Sequence, residues 1–224
     1  MDYISKGYKL PTIYHDIMNN HMKITKDKIY IMFIAIETSG LPKHSSHYTQ
    51  LDAFDESRML KLSWQIFSNG GKLCKKCDFF IKHDKLSDGS FDFVSFGENF
   101  LQKNGEDIVK ILNIFAKDLD NVKAIVSHNL DFHLNILRSE IFRQNLGDII
   151  KKINSKKLVC TMKSTRNFCK LPFPKAKTNE FKPPKLTELY TKCFEKNVDK
   201  PKNSEDVLKL VTECYYHLKE KALK

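Results

Sequence analysis

The chain has 224 residues, 41% hydrophobic and 29% charged, with 38 Lys and Arg against 27 Asp and Glu for a formal net charge of +11. That composition supplies an ordinary core and excludes a disordered chain, and the longest apolar run, Ile29–Ile36, is far short of the roughly twenty residues of a membrane helix. Met1 to Lys28 lacks the apolar centre of a signal peptide, so the expectation is an intracellular protein, cytoplasmic or nuclear, whose six cysteines are free thiols.

Residues 1–27 read as a polar N-terminal extension to a single domain. Lys28–Ile36 (KIYIMFIAI) is β-branched and apolar throughout, the pattern of a strand buried on both faces. Leu60–Phe67 alternates, with Leu60, Leu62, Trp64 and Ile66 on one face and Lys61, Ser63 and Gln65 on the other. Asn69-Gly70-Gly71 is a hairpin signal, and Lys72–Ile81 is the expected return strand, completing an antiparallel meander. Helical periodicity follows in Glu106–Leu119, where Ile108, Ile111, Leu112, Phe115 and Leu119 form one stripe. Ala124–Val126 reads as a short buried strand, expected to run parallel to the first, and Phe132–Phe142 as a second helix. A last helix is expected over Ser204–Lys219, with Ser204 as its N-cap. The order points to one α/β domain.

The charge is concentrated. Lys151–Lys185 holds ten Lys and Arg166 against the single acid Glu180, with four of the seven prolines and Phe168, Phe173 and Phe181 interleaved. This stretch is expected to be a basic loop. Basic residues with aromatics suit a single-stranded nucleic acid, because lysines neutralise phosphates and rings stack on bases; the alternative is a solvated loop that only keeps the protein soluble. Cys74-Lys75-Lys76-Cys77 has zinc-knuckle spacing, but no second ligand pair accompanies it, and residues three apart on a strand face opposite sides.

Three segments carry a family resemblance: Ala35-Ile36-Glu37-Thr38-Ser39-Gly40 at the end of the first strand, His128-Asn129-Leu130-Asp131-Phe132-His133 after the fourth, and Lys185-Leu186-Thr187-Glu188-Leu189-Tyr190 before Asp206. Together they resemble the DEDD (DnaQ-like) 3′–5′ exonucleases, over most of the chain from about Tyr30 to Leu218. The resemblance implies a ribonuclease-H-like three-layer α/β fold, with a mixed central sheet (antiparallel meander plus parallel strands) flanked by helices. It implies catalysis by two Mg²⁺ ions on four carboxylates, with a His or Tyr as base. The carry-over is incomplete. Glu37 and Asp206 stand, whereas Ala35 takes the place of the first Asp, His133 that of the Asp in the second motif, and Pro201 and Asn203 those of the His and Ala before Asp206. A His-Gly pair that the family often carries is not visible around Val94–Gly97.

Two of four carboxylates cannot balance two divalent ions, and hard Mg²⁺ needs oxygen ligands that Ala35 and His133 do not supply. The resemblance therefore implies a degenerate site of Glu37, Asp206 and His133, with Mg²⁺ or Mn²⁺ weakly bound or absent. Thr38, His128, Asn129, Lys156, Lys157, Lys163, Arg166 and Phe168 are the expected contacts to single-stranded DNA or RNA, with a protein partner as the other candidate ligand. The alternative is an active metal-dependent 3′–5′ exonuclease with an altered site, in which Glu37, Asp206, Asp131 and His133 hold one ion; imidazole would move its preference towards Mn²⁺ or Zn²⁺.

Overall fold

The computed structural model describes residues 30–43, 46–87, 89–173 and 180–222. The expected N-terminal extension lies outside them. Strand β1 (Tyr30–Thr38) is apolar on both faces and buried along nearly its whole length, a condition that only a central strand meets. It pairs antiparallel with β2 (Met59–Ser68) and parallel with β4 (Ala124–Ser127). With β3 (Leu73–Phe80) beside β2 and β5 (Lys157–Cys160) beside β4, the sheet order is β3-β2-β1-β4-β5. The expected meander and the parallel fourth strand are both present. At the β2–β3 turn, Gly71 takes φ +85°, a conformation that glycine adopts without strain, and Ser68 N–H closes the hairpin on the Lys72 carbonyl at 2.9 Å.

Side-chain alternation along β1 divides the core into two layers. Met32, Ile34 and Ile36 join Leu62, Trp64 and Ile66 under α2 (Ile108–Leu119), α3 (Leu130–Arg143) and α4 (Gly147–Asn154). Ile31, Phe33 and Ala35 face the other way, against α7 (Leu186–Phe194) and α8 (Ser204–Ala222). A short α1 (Glu98–Asn104) precedes α2. The result is the expected three-layer, mixed-sheet α/β fold. Trp64 sits in the first layer, edge-on to Phe115, and its indole N–H donates to Asp118 Oδ2 at 2.7 Å. Asp118 Oδ1 pairs with Lys75 at 2.7 Å, so this buried acid is both hydrogen-bonded and charge-compensated.

Several expectations are corrected. The basic stretch is not one loop: it contains the end of α4, the edge strand β5 and two one-turn helices, α5 (Thr161–Ser164) and α6 (Arg166–Cys169). Strand β5 went unread because Lys157-Leu158-Val159-Cys160 is short and half-exposed at a sheet edge, with no alternation to betray it. Ser204 is not the N-cap of the last helix but its first residue; Asn203 caps it, accepting from Asp206 N–H at 2.9 Å. The second face of β2, with Lys61, Ser63 and Gln65, is buried too, beneath α8. All six cysteines are free thiols. Cys77 is buried in the core, which pushes its thiol up to about 12, while Cys74 is only partly covered. Among the described residues no helix is long and apolar enough to cross a membrane.

Candidate functional site

The parallel strands β1, β4 and β5 bring their carboxyl ends to one side of the sheet, where α/β folds place their ligand crevices. Pairing of β1 with β2 shifts register between Glu37 and Thr38, an irregularity that re-aims the last side chains of the strand. The turn after it is pinned: Ser39 Oγ donates to the Glu56 carbonyl at 2.9 Å and accepts from Arg58 N–H at 2.8 Å. Gly40 is required here, since a Cβ would lie 2.5 Å from the Glu56 carbonyl oxygen. Between this turn and the start of α8 lies a cleft of about 230 Å³. Ala35, Glu37, Thr38 and His133 form its floor, and Pro201, Lys202 and Asn203 its far wall. Leu41 and Phe93, 65% and 69% exposed, stand at its rim as uncovered apolar side chains.

Glu37 is held from two sides. Its Oε1 accepts from Ser204 N–H, at the start of α8, at 2.9 Å, and lies 3.6 Å from the Lys61 ammonium. Lys61 in turn lies 3.1 Å from Asp78 Oδ2 on β3. Asp78 Oδ1 accepts from the Ser63 hydroxyl, which is 2.7 Å from the Ser204 hydroxyl, so the ring closes through β1, β2, β3 and α8. Asp206 sits in the first turn of α8, and its Oδ2 accepts from Lys202 N–H at 2.9 Å. Glu37 and Asp206 therefore both engage the amino end of α8, Glu37 through Ser204 N–H, and Asp206 by donating its own N–H to Asn203 Oδ1 while its carboxylate accepts from Lys202 N–H. Among the described residues no three His, Cys, Asp or Glu side chains gather as a metal site.

The histidines divide by role. His128 Nε2 donates to the Pro184 carbonyl at 3.0 Å, and Nδ1 then accepts from the Thr161 hydroxyl at 3.0 Å. Burial lowers its pKa and the Pro184 bond only partly opposes that, so it is a neutral clamp between β4, α5 and the entry to α7. Asn129 follows with φ +59°, a left-handed conformation that asparagine tolerates, and its side chain is exposed. His133 is 8% exposed, and its Nδ1 has no hydrogen-bond partner. Burial pushes its imidazole down to about 4, the neighbouring His128 ring adds to that, and the His128 backbone opposes it. Asp131 turns outward instead and pairs with Lys163.

No protein-family model matches this sequence, and no curated protein matches it. Solved structures do match. Exonuclease I from Methylocaldum szegediense is 11% identical with TM-score 0.64, over 88% of this chain and 41% of that one. E. coli exonuclease I bound to a dA16 oligonucleotide is 13% identical with TM-score 0.62, over 86% and 41%. The same E. coli enzyme with a 5cy-dT13 oligonucleotide is 12% identical with TM-score 0.63, over 87% and 41%. The fold is shared with exonuclease I. This chain spans about two fifths of the length of those enzymes.

On this fold the expected basic contacts separate. Lys163 and Arg166 follow the carboxyl end of β5, on the same side of the sheet as the cleft, whereas Lys156 and Lys157 lie at its amino end, with Lys157 opposite Ala124. Arg166 is engaged: its Nε donates to the Phe181 carbonyl, Nη2 pairs with Glu180 at 3.0 Å, and its guanidinium lies over the Phe173 ring. Phe168 packs against the small core of Cys169, Leu189, Cys193 and Cys214. Lys175 and Lys177 lie outside the described residues. The sequence reading passed over Lys61, Asp78, Lys202, Leu41 and Phe93. The one available signal was a lysine inside a strand otherwise rich in apolar residues.

Proposed function

We propose that this chain is a non-cutting nucleic-acid-binding module on an exonuclease fold, which holds a single strand at the cleft beneath α8. The observation that carries the reading is the state of Glu37. Its carboxylate is tied to Ser204 N–H and Lys61, and beside it Ala35 and a buried His133 stand where the family resemblance asks for two more carboxylates. Such a donor set does not fit two hard divalent ions, which need several free oxygens. Binding is supported by the excess charge of +11, by the exposed Lys163 and Lys202, and by Leu41 and Phe93, apolar surfaces for a base at the rim. The bound oligonucleotides of the E. coli structures fit the same reading.

A 5′-labelled oligonucleotide tests it, incubated with Mg²⁺ and then with Mn²⁺, with binding followed by fluorescence anisotropy on the same protein. The expected outcome is retention of the strand without shortening in either metal. Processive shortening would establish the active reading with an altered metal site. No binding to DNA or RNA would turn the search to a protein partner.

A further inference from the structure

A charged lysine whose side chain is only 5% exposed is costly unless it is paired. Lys61 meets that condition at one place, the carboxylates of Glu37 and Asp78 at 3.6 and 3.1 Å, with its ammonium also 4.7 Å above the Phe80 ring. It projects from β2 directly opposite Glu37, so the position of its charge follows from strand register and not from a flexible loop. The two carboxylates are themselves largely withdrawn from water, with side chains 11% and 24% exposed, and repel each other unless something positive stands between them. The amino end of α8, which donates Ser204 N–H to Glu37, adds partial positive charge on the same side.

We infer that Lys61 is the built-in cation of this cleft: its ammonium, and no divalent ion, is the counter-charge that holds Glu37 and Asp78 together and locks α8 onto the sheet. The consequence for binding, which rests on the function proposed above, is that a phosphate meets two carboxylates whose charge Lys61 halves, without any metal to bridge it.

Thermal unfolding of the full chain in EDTA, in millimolar Mg²⁺ and in millimolar Mn²⁺ tests the inference without reference to nucleic acid. The parent is expected to melt at one temperature in all three. Lys61→Met, which keeps the stem and removes the charge, is expected to melt about 10 °C lower in EDTA, as for an orphaned buried charge in a chain of this size. Part of that loss should return with Mn²⁺ or Mg²⁺. The neutral triple variant Lys61→Met with Glu37→Gln and Asp78→Asn should recover more than the single one, because the repulsion has gone with the cation. If Lys61→Met does not fold, the triple variant decides: a folded triple supports the charge role, and an unfolded one overturns it in favour of packing. A parent stabilised by Mg²⁺ or Mn²⁺, or a Lys61→Met variant as stable as the parent, overturns it as well. Oligonucleotide affinity of the parent in EDTA is a separate reading: a metal-dependent affinity ends the consequence for binding, and no affinity at all ends the proposed function, while the melting result stands on its own.

Discussion

A buried neutral imidazole records its burial as a pH dependence. His133 titrates near 4 in the folded protein against about 6.5 in an unfolded chain, because burial disfavours the cation. His83 and His128 are lowered for the same first reason. Folded protein therefore binds fewer protons than unfolded protein below pH 6.5. The stability held by these groups is complete above that pH and drains away as pH falls towards 4. From His133 alone the expected loss between pH 7.5 and pH 5 is about 2 kcal/mol. Urea unfolding at both pH values measures it, and His133→Gln should remove that share of the slope; an unchanged slope would mean the imidazole is not buried as a neutral group.

At the level of elements, the start of β2 is fastened to α3 by one acid. Glu140, 1% exposed, accepts from Arg58 Nε at 2.6 Å, from Arg58 Nη2 at 3.0 Å and from the Met59 amide at 3.2 Å. The same loop carries the Glu56 carbonyl and Arg58 amide that pin Ser39, so this pair supports the floor of the cleft from behind. Glu140→Gln keeps the shape and removes the charge, leaving the Arg58 guanidinium unpaired and mostly covered. A loss of about 3 kcal/mol, or roughly 10 °C in Tm, is expected by differential scanning calorimetry. A loss under 1 kcal/mol would show that the Arg58 charge is solvated in practice.

On the scale of the whole molecule, binding should be governed by the excess of positive charge. If four to six phosphates are neutralised, log K for a single strand falls against log[salt] with a slope of roughly −3 to −4. The geometry refines which lysines matter. Lys163→Glu and Lys202→Glu, on the cleft side, should flatten the slope, whereas Lys156→Glu and Lys157→Glu, at the far end of β5, should leave it nearly unchanged. Equal effects from both pairs, measured by anisotropy titration between 50 and 200 mM salt, would place the strand along the whole edge of the sheet and not in the cleft.

Local pattern alone was enough for the meander, the existence of the fourth strand and the α2 and α3 stripes, since alternation and helical periodicity are written in consecutive residues such as Leu60–Phe67 and Ile108–Leu119. Glu37, Asp206, Ala35 and His133 were legible too, as positions in short motifs. The sequence could not say what those side chains touch. Lys61 and Asp78 lie in different strands from Glu37, and Ser204 is 167 residues away from it along the chain. Only strand register and the docking of α8 bring them within bonding distance, so tertiary structure alone decided that Glu37 faces an ammonium and a helix end. Strand β5 is the same case in reverse: four half-exposed residues have no pattern of their own, and they become a strand because the edge of β4 offers unpaired backbone groups.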